Sequence, residues 1–285
     1  MITIKNFFKK NRTVFLLLAL FFLILAIVIP FDLKSLEKIN PQNPQIVKIS
    51  QAKVSQHDSR TELSVPILMY HHIRNYNDPN DKLGTDLSVS TASFKFQIDY
   101  LKNNGFSAIS FESWLNFPNK KLPKKPIILT FDDGYSDAFD NVLPILEADN
   151  QIGTFYIISG FVGKEGFLNT DQIKKMSEMG MEIGSHSVDH PNLATASPEK
   201  LSQELSNSKS LLEQIIGKKI IGFCYPSGDY NPEVEKAVEN AGYLTSTTTN
   251  SGISTTKNDK FSLPRLRIGP TTTNEKFMKI LSTFK

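Results

Sequence analysis

The sequence predicts an α/β fold, a barrel-like parallel sheet with helices outside, and three observations lead to it. From Val65 onward, short apolar runs alternate with stretches of helical spacing, the pattern of repeated strand–helix units. Carboxylates and histidines stand directly after several of those runs, where a barrel opens its loops. The single cysteine, Cys224, excludes a disulfide framework and any multi-cysteine metal site, so stability must come from burial and metal ligands from His, Asp or Glu.

The N-terminal segment is different. Residues 14–29 are unbroken apolar sequence, preceded by Lys5, Lys9, Lys10 and Arg12. About 17–25 apolar residues span a bilayer, so the run suffices if Pro30 and Phe31 lie in the interface. A cleavable signal peptide is the alternative, but its apolar region is about 7–15 residues long and ends at a small-residue site, which Ile27-Val28-Ile29-Pro30 does not supply. The expected organisation is a cytoplasmic basic segment (1–13), one transmembrane helix (14–31), a polar tether (32–64) and a catalytic domain (65–285). Basic residues before the span keep the N-terminus inside and export the rest. The expected location is the cell membrane, single-pass, with the domain extracytoplasmic, or a secreted product if the segment is cleaved.

Within the domain, residues 66–70 read as a buried strand and 93–104 as a helix stopped by Gly105. Strand 127–131 precedes helix 136–148; strand 154–158 precedes helix 171–179, which Gly180 ends. Residues 181–184 lead into Ser185-His186. An amphipathic helix is expected at 198–216 with Gly217 at its end, then strand 221–225, helix 232–240, strand 263–268 and a terminal helix.

At 40% hydrophobic and 21% charged residues the composition is that of a globular domain. A formal net charge of +3, without a long basic run interleaved with aromatics, gives no case for nucleic acid.

Asp132 and Asp133 follow an apolar strand and precede Gly134, which lets the chain turn sharply. Adjacent carboxylates repel unless a cation or hydrogen bonds stabilise them; a capped Asp-Asp-Gly turn is the other explanation. His186 and His190, two of only five histidines, are four residues apart, a spacing that on a helical turn puts both imidazoles on one side. With a carboxylate from another strand end, they make a two-His-one-Asp set with room for water.

Thr130-Phe131-Asp132-Asp133-Gly134, then Ser185-His186-Ser187-Val188-Asp189-His190, then Tyr225-Pro226-Ser227-Gly228 resemble the ordered motifs of the NodB-type polysaccharide deacetylases, carbohydrate esterase family 4. The resemblance implies a distorted (β/α) barrel and one divalent metal ion held by Asp133, His186 and His190, with Zn2+ first and Co2+ or Ni2+ fitting the same donors. It implies Asp132 as general base toward the attacking water and the Ser227 backbone N–H as oxyanion donor. Two departures stand out. Cys224 occupies a position where many members carry an arginine, and no histidine follows His190 near the C-terminus. Met69-Tyr70-His71-His72 at the first strand and Leu263-Pro264-Arg265 near the end instead resemble the permuted subgroup acting on poly-β-1,6-N-acetylglucosamine. That resemblance makes His71 the general acid and Arg265 the orienting charge, with His72 and Arg267 the weaker alternatives.

Cys224 itself reads as a small buried residue and Trp114 as core. Tyr135 and Tyr230, beside the motifs, are candidates to bind sugar. The expected activity is N-deacetylation of N-acetylglucosamine-containing polysaccharide. Peptidoglycan or chitin oligomers are the alternative substrates, and a catalytically silent glycan-binding barrel is the alternative from another class. Expected partners are the polysaccharide, the membrane, and exopolysaccharide or cell-envelope machinery.

Overall fold

The computed structural model of the protein describes residues 62–284. Strand β1 (Ile67–Tyr70) is followed by helix α1 (Thr91–Asn103), strand β2 (Phe106–Ala108) and strand β3 (Lys125–Phe131). A π-helical turn, Ala138–Val142, leads into α2 (Leu143–Ala148). Then come β4 (Thr154–Ile157), α3 (Thr170–Glu178), β5 (Glu182–Ser185), α4 (Pro198–Ile216) and β6 (Gly222–Cys224). The chain closes with α5 (Pro232–Asn240), β7 (Thr245–Ser251), β8 (Leu263–Arg267) and α6 (Asn274–Leu281).

Seven parallel strands form the barrel in the order β1-β8-β7-β6-β5-β4-β3, and β3 pairs back with β1. Strand β2 pairs with β3 outside the ring. The expected barrel is therefore present, and β1 closes the ring between β8 and β3. Register Ile67↔Ile128 through Tyr70↔Phe131 fixes that closure.

Alternation along each strand sorts the core into two clusters. Ile67, Ile128, Tyr156, Cys224 and Leu263 pack together with Trp114, whereas Leu68, Leu129, Phe155, Ile157 and Phe223 pack in a second cluster with Phe94, Ile173 and Leu205 of the surrounding helices. Trp114 is core, as its sequence reading had it.

Helices 198–216 and 232–240 have the expected bounds because their caps are explicit in the sequence. The Ser197 side chain accepts from Lys200 N, Asn231 from Val234 N, and Gly217 takes the left-handed conformation, φ 66. Helix 136–148 instead starts as a π-turn and becomes α-helical only at Leu143, with Pro144 in its first turn, where a missing N–H costs least.

Strand β7 escaped the sequence reading altogether. Thr245, Ser246, Thr247 and Thr248 are all fully buried at the centre of the sheet, with no apolar residue to mark them. β-Branched threonine suits a pleated strand, and three of the four hydroxyls donate to the segment 260–263: Thr245 Oγ1 to Lys260 O (2.9 Å), Ser246 Oγ to Phe261 O (2.6 Å) and Thr248 Oγ1 to Leu263 O (3.4 Å), while Thr247 Oγ1 has no partner among the described residues.

Segments 1–13 and 14–31 and most of the 32–64 tether lie outside the described residues. The end of that tether belongs to the domain: Leu63 N donates to Thr256 Oγ1 at 3.0 Å and Ser64 pairs with Thr255. Among the described residues no helix is long and apolar enough to cross a membrane.

Candidate active site

The carboxyl ends of the strands bring the chemistry together. Asp132 and Asp133 leave β3, His186 and His190 follow β5, Ser227 follows β6, and His71 follows β1. With Tyr135, Ile158, Phe161, Phe167 and Arg267 they line an open groove of about 540 Å³.

The neighbouring aspartates face different partners because the backbone reverses between them. Asp133 and Gly134 both have positive φ, 74° and 79°; only glycine adopts that region without strain. Asp132, 3% exposed, receives Arg265 Nη1 on Oδ1 at 2.8 Å and Nη2 on Oδ2 at 2.7 Å. Burial pushes the Asp132 carboxyl up, but the Arg265 guanidinium outweighs it and holds the group below the usual carboxylate range. Arg265 is fully buried and also donates to Thr248 O and Thr130 Oγ1. Of the two late arginines, Arg265 thus meets Asp132, while Arg267 lines the groove. Cys224 is buried, as expected, with Sγ 3.6 Å from Asp132 Oδ2 and 3.2 Å from Arg265 Nη2.

Asp133 Oδ1 lies 3.4 Å from His186 Nε2 and 3.8 Å from His190 Nε2. The two histidines do not share a helical turn. They sit in a loop whose Ser187 and His190 adopt φ 64° and 57°, so the spacing that suggested a helix is served by a reversal instead. Two interactions hold that reversal: His190 N donates to Ser187 Oγ (3.0 Å), and Val188 N and Asp189 N both donate to Glu204 Oε2 (2.7 and 3.0 Å). Glu204, only 1% exposed on α4, pairs with Lys200 through its other oxygen.

The donor set fits a divalent ion. One atom each from Asp133, His186 and His190 lie within 4.8 Å of one another. His186 Nδ1 contacts Cys224 O at 2.7 Å, which places the ring proton there and leaves the Nε2 lone pair facing Asp133. Three protein ligands leave coordination positions open, as catalytic sites require. A second grouping, Asp132, His186 and Cys224, is equally close, but Asp132 has both oxygens committed to Arg265.

His71 Nε2 stands 4.0 Å from Asp132 Oδ2 at the groove wall. Burial lowers its imidazole pKa, against the opposing pull of Asp132 and Asp133. His72 is occupied elsewhere: Nδ1 meets Asp137 Oδ2 at 2.5 Å and the ring stacks on Tyr135 at 3.5 Å between centroids. Ser227 has φ 55° in a turn closed by Gly228 N donating to Tyr225 O (2.9 Å). A Cβ at Gly228 would meet Thr249 Oγ1 at 1.9 Å, so only glycine lets this turn sit against β7.

Tyr135 lines the groove beside Phe167. Tyr230 is not among the groove-lining residues; it stacks on Tyr225 at 4.5 Å. Glu204, Phe161 and Phe167 were not singled out from sequence. Glu204 had a visible signal, a carboxylate inside the apolar stripe of an amphipathic helix; the two phenylalanines had none.

A parallel barrel with an Asp/His cluster and a buried carboxylate–arginine pair at its strand ends has the make-up of a metal-assisted hydrolytic centre. The polysaccharide deacetylase family model matches residues 119–246. YxkH of Bacillus subtilis, named as a polysaccharide deacetylase, is 30% identical over 223 residues, 78% of this chain and 77% of its own. The chain belongs to the polysaccharide deacetylase family. A poly-β-1,6-N-acetyl-D-glucosamine N-deacetylase of Staphylococcus aureus is 28% identical over 230 residues, 73% of this chain and 79% of that one. The Streptococcus pyogenes deacetylase PplD, solved with acetate, superposes with a TM-score of 0.72 at 32% identity, covering 79% of this chain and 100% of its own. IcaB of Ammonifex degensii shares the fold, with a TM-score of 0.65 at 22% identity over 77% of this chain and 96% of its own. Membership makes the protein a deacetylating hydrolase of N-acetylated polysaccharide, in a family that uses a divalent metal.

Proposed function

We propose that the protein removes N-acetyl groups from a polymer of N-acetylglucosamine, with poly-β-1,6-N-acetylglucosamine as the first substrate. One observation carries the reading: two adjacent carboxylates at one strand end have separate partners, Asp133 among two imidazoles and Asp132 on a buried guanidinium. Asp133, His186 and His190 would hold the metal ion, with Zn2+ first for this nitrogen–oxygen set. When bound, such an ion polarises the acetamide carbonyl and lowers the pKa of attacking water.

The remaining chemistry belongs to side chains and backbone. Asp132 accepts the proton of the attacking water, and Arg265 keeps its carboxylate ionised and oriented. The Ser227 N–H, in its left-handed turn, donates to the oxygen that becomes negative. His71, whose Nε2 lies 4.0 Å from Asp132, protonates the departing amine nitrogen, without which an amine is a poor leaving group. Tyr135 offers an aromatic wall for a sugar ring.

The substrate assignment draws on the Staphylococcus aureus relative and on the early His71 together with the late Arg265. The apolar run at 14–29 after a basic flank supports a single-pass membrane location with the domain outside, where polymer and cell-envelope machinery are met. Acetate release by the full chain tests the substrate across β-1,6-linked polymer, chitin oligomers and peptidoglycan. Fastest release from the β-1,6 polymer is expected; release confined to peptidoglycan or chitin oligomers would reassign the substrate, and none from any would defeat the reading.

A further inference from the structure

Alternation carries the inner face of the barrel up to its mouth. Ile67 and Leu263 pack together inside the ring, and residues two apart on a strand point the same way. Met69 and His71 therefore extend one inward row, and Arg265 and Arg267 the next, on strands paired with Arg267 opposite Met69. Arg265 ends on Asp132. Arg267, about 7 Å further along β8, stands at the rim near His71, and both line the groove. Burial, and after it the charges of Arg265 and Arg267, lower the His71 pKa against the pull of the two aspartates, so Arg267 stands within electrostatic reach of the imidazole assigned to the departing amine.

Arg267 also lines a second recess of about 410 Å³, with Asp86, Gly269, Thr271, Thr272 and Lys276. The groove therefore continues past this arginine and along the short helix Lys82–Asp86, which gives Leu83 to the groove and Asp86 to the recess. The acids on this path are already matched. Asp132 has Arg265, Asp189 has Lys200 at 3.0 Å, Asp86 has Lys82, and Asp133 faces His186 and His190. Glu275, next to Lys276 in sequence, does not line the recess. Arg267 and Lys276 are exposed, and among the described residues neither side chain forms an ion pair or a hydrogen bond. Two unmatched cations thus face one opening that adjoins the reacting centre.

We propose that this recess is a subsite for an anionic substituent of the polymer, a carboxylate or phosphate carried beside the acetamide being cleaved. Arg267 is its main contact and Lys276 its second. The proposal rests on the deacetylase reading and names the substrate class within it: an N-acetylglucosamine polymer that bears acid groups. A planar guanidinium meets carboxylate or phosphate oxygens two at a time, which fixes orientation as well as charge, whereas an ammonium acts as a point charge. An unsubstituted polymer offers these cations only hydroxyls, and the ammonium groups left by deacetylation are repelled by them.

The test measures acetate release by the full chain, supplied with Zn2+, from three β-1,6-linked N-acetylglucosamine oligomers of one length. One is unsubstituted, one carries a succinyl half ester and one a phosphate monoester. A charge-assisted contact should raise kcat/KM for an acidic oligomer about tenfold over the neutral one, mainly through KM, and high salt should shrink that ratio. In Arg267→Gln and in Lys276→Gln the ratio should fall towards one, Arg267→Lys should keep part of it, and Arg267→Glu should favour the neutral oligomer. A preference confined to the succinyl or to the phosphate oligomer supports the recess and names its anion. Equal rates on all three with the wild-type chain overturn the subsite and leave the deacetylase reading standing. A preference that survives in both glutamine variants overturns the assignment to this recess. No release from any of the three defeats the substrate reading and the subsite with it.

Discussion

Asp132 and Arg265, 133 residues apart in sequence, meet in a two-pronged ion pair at 2.8 and 2.7 Å inside the barrel. Strand β8 closes the ring against β1, and β1 pairs with β3, so a charge from the end of the chain reaches the carboxylate from its middle. Position 224, next strand but one, holds Cys224, whose small side chain leaves the guanidinium its space.

Removing the guanidinium should therefore damage both stability and rate. Breaking a buried pair from one side costs about 3–5 kcal/mol, so Arg265→Met should lower the melting temperature clearly, and Arg265→Met with Asp132→Leu should recover part of the loss. The rate profile has a definite sign. A base works above its pKa and fails as pH falls through it; Arg265 holds that pKa down, so in Arg265→Met the acidic limb must move to higher pH. An unmoved limb would detach Arg265 from the base.

Asp132→Asn keeps size but removes the proton acceptor. A loss of about 10²–10⁴ in turnover is expected for a general base, with metal content unchanged because the proposed ligands are Asp133, His186 and His190. Near-normal turnover would remove Asp132 from the chemistry.

The two early histidines should separate by phenotype. His71→Ala should fold, retain metal and lose most turnover. His72 instead bonds Asp137 and stacks on Tyr135, so His72→Ala should cost about 1–3 kcal/mol of stability with a smaller effect on rate. The reverse ranking, read by acetate release and thermal melts, would transfer the acid role to His72.

Glu204 supplies a prediction about metal retention. Both loop N–H groups go to one oxygen, Oε2, so Glu204→Gln can keep them and lose only the Lys200 pair. Glu204→Ala loses both and should weaken metal binding about 10–100-fold, the usual range for residues that hold ligands in place. Equal affinities for the two variants, from competition with a chelator, would show that the loop holds itself.

The sequence made most of this legible where local chemistry repeats a rule. Apolar strands β1, β3 and β4 stood out by composition, and α4 and α5 by their caps. Strand β7 did not, because its buried residues are threonines and a serine whose fit depends on hydroxyl partners in other segments. Asp132 and Asp133 were visible as a pair, but their division of labour depends on a reversal at φ 74° and on an arginine from the last strand. His186 and His190 were found by a spacing whose helical reason was wrong; the loop reversal that unites them depends on Glu204, which arrives from another element.

Metal removal and return tests the central claim most directly. The full chain, stripped by a strong chelator and assayed for acetate release from N-acetylglucosamine polymer, should be inactive. About one equivalent of Zn2+ per chain should restore release to wild-type protein and to Asp133→Ala or His186→Ala protein hardly at all. Full acetate release from chain that elemental analysis finds free of metal, or equal restoration of the two ligand variants, would contradict the account.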